Sequence, residues 1–388
     1  MGPQFKMPLP SGLSHGRGEA RQEMTANFKH PHRIDRLRAK IEEEKLDGIL
    51  ISSGENRRYL SGFVSTAGWL FVTKADAVLC TDFRYTEQAG LQAPGYRVDR
   101  IGGKLDWMSK LFVEHGAKQV GFEADHITVA QFDRINEAMK DVKDLPSGTQ
   151  LRPTQGITLG LRAVKDAEEV NLLSRAIQIG DEAFAEVEKT LSPGMTEEDV
   201  AWRIEQAVRV RGAEAISFDT IVGSGPNAAR PHHRAGSDVL REGQTIVIDM
   251  GARYQGYCSD LTRTVVLGKP DSQAKKVYDI VLAAQLAAIE MVRPGMTGAE
   301  CDGIARKVIQ EAGHGDAFGH SLGHGVGLEV HESPGVGPSS PGKLQENMVF
   351  TIEPGIYITG WGGVRIEDVV VLENGRARVL SKAPRMKF

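Results

Sequence analysis

Residues 34–153 switch repeatedly between two apolar periodicities. Ile34, Leu37 and Ile41 recur at helical spacing along a charged segment. Residues 47–52 are a short apolar run suited to a strand, and similar runs return at 68–73, 77–81 and 119–122, with a helical stretch at 127–139. Helices interleaved with strands predict an α/β domain. No dinucleotide or phosphate fingerprint accompanies it. Gly223-Ser224-Gly225, further on, lacks the remaining glycines and the lysine of a phosphate loop. A boundary near residues 153–161 is predicted, giving an N-terminal domain over 30–155 and a second over 156–388. Residues 1–29 are rich in Gly, Pro, Ser, Arg and His, without the apolar core of a signal peptide, and read as a flexible arm or leader. His30 and His32 read as solvated loop histidines.

The second region opens on a long amphipathic helix, residues 165–191, with apolar or small residues at 170, 173, 177, 180, 184, 187 and 191. Beyond it the chain repeats itself. Pro193-Gly194-Met195-Thr196 returns as Pro294-Gly295-Met296-Thr297. Each copy follows one helix and opens another with a capping pattern, Thr196 with Asp199 and Thr297 with Glu300. These second helices are predicted to end near Gly212 and Gly313.

Each copy then leads to a hairpin with two acids. In residues 246–264 an apolar run reaches Asp249, turns through a polar Gly-containing segment and returns through Asp260. A register symmetric between Tyr254 and Gln255 sets the two aspartates directly opposite, with Cβ atoms about 5 Å apart. The second copy places Glu353 on the run 348–358 and Glu367 on the run 363–372, symmetric about Gly360. One such pair can be turn-flanking surface acids; its repetition argues otherwise. Two copies of helix–turn–helix–loop–hairpin, related by a pseudo-two-fold axis, predict that the hairpins meet at the centre. Four converging carboxylates repel unless cations neutralise them, and two divalent ions leave no net charge.

Bulk properties narrow the classes. Of 388 residues, 40% are apolar and 25% charged, as in an ordinary soluble globular protein. The net charge of −4 offers no basic footprint for nucleic acid. The longest apolar run, residues 280–292, is broken by Gln285 and Glu290 and is too short to span a bilayer, so no membrane partner is expected. Cys80, Cys258 and Cys301 lack CxxC spacing and suit a reducing cytoplasm. Cys258 shares a face with Asp260 but reads as a packed thiol.

Residues 319–332, GHSLGHGVGLEVHE, bring His320, His324 and His331 into one Gly-rich loop beside the four acids. Imidazole suits Mn, Co, Zn or Fe(II), and the oxygen ligands favour Mn. This segment resembles the signature of the proline peptidases of the pita-bread metallopeptidase family. The family's other elements follow in order: the two-Asp hairpin, Glu353 in EPGIY and Glu367 in GVRIED. NRRYLSGF at 56–63 and TDFRYTEQA at 81–89 match its N-terminal elements, so the resemblance runs from about residue 33 to the C-terminus. It implies an α+β chain, in which a pita-bread catalytic fold of duplicated α-α-β-β halves follows an N-terminal α/β domain of the creatinase type.

The resemblance also implies roles. Asp249, Asp260, His324, Glu353 and Glu367 would bind two divalent ions, Mn2+ ahead of Co2+, Zn2+ or Fe2+, with Asp260 and Glu367 bridging both. Glu353 would shuttle the proton of the attacking water. His331 and His232 would hold the scissile carbonyl and its oxyanion. From the residues alone His233 is open to the same role, and the family spacing from Gly223-Ser224-Gly225 selects His232. Tyr357 matches a family tyrosine near the substrate, and His320 is a substrate contact or a supporting partner. Arg365 shares a face with Glu367 by strand parity and resembles a substrate-orienting arginine, although a structural ion pair explains it equally.

The implied activity is hydrolysis of Xaa–Pro bonds in the cytoplasm by a homodimer, with proline at the second position of the substrate. An aminopeptidase acting on longer peptides is favoured, and a dipeptidase restricted to dipeptides is the alternative. Methionine aminopeptidase shares the five ligands but lacks the added domain and the proline-type histidine signature. Creatinase shares the fold without the ligands. A non-catalytic binding protein on the same fold is the reading from another class.

Overall fold

In the computed structural model, which describes residues 28–140 and 142–387, Ile34, Leu37 and Ile41 are fully buried along α1 (Pro31–Glu43), the face their spacing predicts. The arm or leader expected over residues 1–29 lies outside the described residues except for its last two. Of these, Phe28 packs edge-on against Tyr96, ring centroids 4.6 Å apart. His30 is buried, which corrects its reading as a solvated histidine; His32 is exposed.

The described chain divides into two compact units, one ending at Thr158 and one beginning at Leu159. The first unit is built on β1 (Gly48–Ile51), β2 (Trp69–Thr73), β3 (Ala77–Thr81), β4 (Arg97–Arg100), β5 (Gln119–Glu123) and β6 (Gln150–Thr154). They form one mixed sheet in the order β4-β3-β2-β1-β5-β6. β2 runs antiparallel to both neighbours, whereas β1–β5, β5–β6 and β3–β4 are parallel. Helices α2 (Gly54–Ser61), α3 (Thr86–Gln92), α4 (Asp106–Glu114) and α5 (Val129–Lys140) connect the strands, and Leu50, Phe71, Phe112 and Val120 centre the core.

α6 (Ile157–Ala163) leads into the second unit, where the repeat is realised. α7 (Ala167–Glu188) starts at Asp166, which forms a capping box with Glu169. It buries Leu173, Ile177, Phe184 and Val187, about 2 kcal/mol of apolar transfer for each. The two PGMT segments adopt one conformation. Gly194 and Gly295 take φ of 89° and 93°, the left-handed region that favours glycine. Thr196 and Thr297 each close a capping box, opening α8 (Glu197–Val210) and α10 (Gly298–Glu311). Gly212 and Gly313, both at positive φ, follow these helices two residues on. Between them α9 (Ser272–Met291) plays in the second half the part of α7 in the first.

The first hairpin comprises β9 (Thr245–Met250), β10 (Ala252–Tyr254), β11 (Tyr257–Cys258) and β12 (Leu261–Val266). It turns at Gln255-Gly256, with φ of 44° and 79°. Tyr254 therefore pairs with Tyr257 and Asp249 with Thr262. This corrects the expected register. Asp249 and Asp260 are not directly opposite; they share a face two positions apart, because the two-residue turn is centred one residue later. β9 is the middle strand between β12 and β8 (Ile221–Ser224). β7 (Ala215–Ile216) pairs with β10.

The second hairpin comprises β15 (Val349–Ile352), β16 (Gly355–Ile358), β17 (Gly362–Arg365) and β18 (Asp368–Glu373). Ile352 pairs with Asp368 and Gly355 with Arg365, so the register places Glu353 opposite Glu367, as their symmetry about Gly360 predicts. The expected continuous strand is interrupted at Glu353-Pro354, since proline has no N–H to give a ladder. β13 (Gly323–Gly325), β14 (Glu332–Val336) and β19 (Arg376–Val379) complete a five-stranded sheet in the order β14-β13-β15-β18-β19. No helix among the described residues is long and apolar enough to cross a membrane.

Candidate active site

Three of the four acids occupy places where the ladders break, while Asp249 stays paired within β9. Asp260 precedes β12, Glu367 precedes β18, Glu353 follows β15, and Asp249 is the last residue but one of β9. Such interruptions re-aim side chains out of the pleat. The two hairpins are joined across the pseudo-symmetry axis by main chain and threonine. Glu367 N donates to Thr262 O at 3.1 Å. Thr264 Oγ1 donates to Arg365 O at 2.9 Å and accepts from Arg365 N at 3.0 Å.

His324 enters from β13, where its neighbours must be glycine. A Cβ at Gly323 would collide with Thr351 O, and one at Gly325 with Ser333 O. The His324 Nδ1–H donates to the carbonyl of Gly325 at 3.1 Å, which leaves Nε2 pointing at the acids. Nε2 is 3.2 Å from Glu353 Oε1 and 3.6 Å from Asp260 Oδ2. Asp260, His324 and Glu367 each bring one ligand atom within 4.8 Å of the other two.

Electrostatics set the charge states. Burial, then the neighbouring Glu367, Asp249 and Glu353, pushes Asp260 well above the usual carboxylate range; burial, then Glu353 and Asp249, does the same to Glu367. Burial also raises Asp249, against the opposing pull of Arg365. For Glu353, burial is outweighed by the hydrogen bond and charge of His324, so it is held below its ordinary value. His324 is correspondingly raised by Glu353, against its own desolvation.

Two oxygens test whether these residues fit a cation. Asp249 Oδ1 and Glu367 Oε1 are buried with no hydrogen-bond partner among the described residues. Buried carboxylate oxygens without partners are costly unless something positive completes them. A divalent cation fits this donor set, with its clustered carboxylates and an imidazole whose Nε2 is held free of the backbone.

A second layer fixes the acids. Thr262 Oγ1 donates to Glu367 Oε2 at 2.7 Å, and Thr351 Oγ1 to Glu353 Oε1 at 3.1 Å. Each threonine lies two residues from an acid, Thr262 from Asp260 and Thr351 from Glu353. Strand parity was the signal available for both, and the sequence reading missed it. Arg365 Nη2 donates to Asp249 Oδ2 at 2.6 Å and Nη1 to Tyr357 OH at 2.8 Å. His320 Nδ1–H donates to Ser321 O at 2.8 Å; its Nε2, 2.9 Å from Tyr357 OH, therefore accepts when the ring is neutral. Burial lowers the pKa of His320 and favours that neutral form. Arg365, Tyr357 and His320 thus form a chain with every proton assigned.

A cavity of about 740 Å3 opens over this cluster. Asp249, Asp260, His324, Glu353 and Arg365 line it, together with His232, His320 and His331. Glu367 and Tyr357 are not among its lining residues; Tyr357 supports His320 and Arg365 from behind. The His331 ring lies 4.1 Å from that of His324, and partial desolvation at the cavity wall, then the charge of His324, lowers its pKa. His233 also borders the cavity, but its Nε2 is held 2.7 Å from the buried Glu197 Oε2, while His232 is exposed. Cys258 is a packed thiol, 3.9 Å from Leu328 O, and burial pushes it up to about 11.

Comparison with known proteins then decides the family. Residues 171–374 match metallopeptidase family M24, and residues 33–164 match the creatinase/prolidase N-terminal domain. The chain belongs to the M24 metallopeptidases. The M24 chain is 40% identical to an uncharacterized peptidase of Bacillus subtilis strain 168, over 91% of this chain and 98% of that one. Its fold superposes on the Xaa-Pro dipeptidase from Bacillus anthracis with a TM-score of 0.87 at 40% identity, covering 92% of this chain and 98% of that one. For the X-Pro aminopeptidase from Thermotoga maritima MSB8 the TM-score is 0.83 at 38% identity, covering 92% and 99%. This M24 enzyme therefore has the pita-bread fold, preceded along the chain by a creatinase-type domain. Its family and its carboxylate–histidine cluster together point to divalent metal.

Proposed function

We propose that this M24 peptidase hydrolyses the Xaa–Pro bond at the N-terminus of peptides, with Asp249, Asp260, His324, Glu353 and Glu367 holding two divalent cations. Four of these five ligands are carboxylates, which favours Mn2+ over Co2+, Zn2+ or Fe2+. The observation that carries the reading is the pair of orphaned oxygens, Asp249 Oδ1 and Glu367 Oε1, beneath a histidine-lined cavity. When bound, the cations supply Lewis acidity toward the scissile carbonyl and bring the pKa of water toward neutrality.

The rest of the work falls to this chain's residues. Glu353 accepts a proton from the attacking water and delivers it to the prolyl nitrogen as the C–N bond breaks. That proton is required, because a tertiary-amide nitrogen without N–H leaves as a secondary amine only once protonated. His232 and His331 donate to the oxygen that becomes negative in the tetrahedral intermediate. His320 and Arg365, which line the cavity, orient the substrate; Tyr357 holds both from behind, and Arg365 keeps Asp249 in place.

Relatives of both lengths of specificity resemble the chain. We favour the aminopeptidase over a dipeptide-restricted enzyme; the cavity of about 740 Å3 is of a size that takes either substrate. Three buried, free thiols suit the cytoplasm, and a homodimer is proposed by family analogy. The test assays Ala-Pro, Met-Pro and Ala-Pro-Ala with Mn2+, Co2+ and Zn2+ in turn. Cleavage of the tripeptide is expected. Cleavage of dipeptides alone would make the enzyme a dipeptidase, and metal uptake without turnover would make it a binding protein.

A further inference from the structure

A buried arginine on the reverse side of the acids ties three segments together. Arg263 follows Thr262 on β12, so strand alternation turns it away from the Asp260 and Thr262 side. Its Nη1 donates to the carbonyls of Thr262 at 3.0 Å and Glu367 at 2.5 Å. Nη2 pairs with Asp368 Oδ1 at 2.7 Å and also donates to Ala383 O at 2.8 Å, and Nε donates to Pro384 O at 3.1 Å. Asp368, fully buried, accepts on Oδ2 from Gln285 Nε2 at 3.1 Å and from Arg385.

The C-terminal segment is pinned along its length. Asp181 on α7 accepts from Lys382 N at 2.6 Å and Ala383 N at 3.0 Å. Ser381 Oγ accepts from Val369 N at 3.0 Å, and Tyr278 OH on α9 accepts from Met386 N at 2.9 Å. The segment therefore runs from α7 and β12 of the first half to β18 and α9 of the second. A buried ionic cluster of this kind adds little net stability over apolar packing of the same volume. It also bonds the carbonyls of Thr262 and Glu367 through one guanidinium, reinforcing the direct Glu367 N–Thr262 O bond that joins the two hairpins. Asp260 and Glu367, the acids carried by this seam, are carboxylates that repel each other.

We propose that residues 381–386 are a clasp, with Arg263 and Asp368 as positioning residues, that holds the two hairpins at the separation the cation pair needs. This rests on the reading of the site as a dinuclear metal centre. Cutting the clasp lets the second hairpin drift outward and weakens cation binding, without touching any ligand.

The test uses Co2+ as probe, measured by calorimetry and by the visible absorption of the bound ion. In a chain ending at Leu380, the second equivalent of Co2+ is expected to bind about 10-fold more weakly or worse, with altered absorption bands. Adding a peptide of residues 381–388 is expected to restore both. A merely structural segment would lower the melting temperature and leave affinity and spectrum unchanged, and that result in a folded truncated chain overturns the proposal. If the truncated chain does not fold, Arg385→Gln, which removes only the Arg385–Asp368 pair, decides. A weakening of about 3-fold or more supports the clasp, and wild-type Co2+ affinity and spectrum overturn it. Intact protein that takes up no Co2+ overturns the metal-centre reading itself, a separate and distinguishable failure.

Discussion

Arg365 holds one oxygen of Asp249 at 2.6 Å and leaves the other, Oδ1, buried without a hydrogen-bond partner among the described residues. The carboxylate is thus divided between a guanidinium and the space where a cation would sit. The same guanidinium bonds Tyr357 OH and Thr262 Oγ1, so its fork geometry matters as much as its charge. Arg365→Lys is expected to lower kcat/KM on an Xaa–Pro substrate by about 30- to 100-fold, the loss of one or two charge-assisted hydrogen bonds. Wild-type kcat/KM in that variant would show that charge alone suffices.

Replacing a repelled acid by its amide separates stability from metal binding. Burial and acidic neighbours disfavour the charged forms of Asp260 and Glu367. Asp260→Asn and Glu367→Gln are therefore expected to raise metal-free stability. The stabilisation that added Mn2+ gives the wild-type chain should vanish in both. Calorimetric melting with and without Mn2+ checks this; a metal-free loss of stability would contradict the electrostatic account.

His331 is exposed at the cavity and belongs to no proposed ligand set. His331→Ala is expected to cost about 10²- to 10³-fold in kcat while Mn2+ affinity stays within about 3-fold of wild type. Loss of metal together with activity would instead make His331 a ligand or its support.

Gly323→Ala tests how β13 delivers His324. The added Cβ would collide with the Thr351 carbonyl, and backbone cannot yield as a flexible side chain can. A destabilisation of about 1–3 kcal/mol is expected, with at least about 10-fold weaker metal binding. Urea unfolding and metal titration give the two numbers, and an unchanged metal affinity would show that His324 keeps its place despite the clash.

Glu332 makes acid stability measurable outside the ligand cluster. Its carboxylate is buried, which alone would raise its pKa, but Lys165 and Arg162 outweigh burial and hold it below its ordinary value of 4.5. A lowered folded-state pKa means the contribution is fully present above the unfolded value and is lost as pH falls through the folded one. At neutral pH, Glu332→Gln removes the carboxylate shared by Arg162 and Lys165, Arg162 keeping Glu329 at 3.0 Å, and is expected to cost about 3 kcal/mol. That gap to wild type should narrow between about pH 6 and about pH 3.5. Urea unfolding at both values tests it, and a gap independent of pH would refute the pairing.

The duplicated architecture was legible because its signals are local. Pro193-Gly194-Met195-Thr196 and its second copy specify a left-handed glycine and a capping threonine, and both copies form as read. Glu353 and Glu367 were paired correctly from symmetry alone, since the three-residue loop around Gly360 keeps the register centred. The same reasoning misplaced Asp249 and Asp260 by two positions, because Gln255-Gly256 is not the Asn-Gly pair that announces a two-residue turn.

By itself, then, the sequence determined the repeat, the order of the acids and histidines, and the chemistry those side chains can support. These depend on residue type and on spacings of a few residues. Tertiary structure decided which atoms meet: Arg365 with Asp249, Thr262 with Glu367, and Arg263 with a segment 120 residues further along. Such pairings follow from how two hairpins and a terminal segment close on one another. No local periodicity records that closure, because strand parity says which way a side chain faces and not what it will find there.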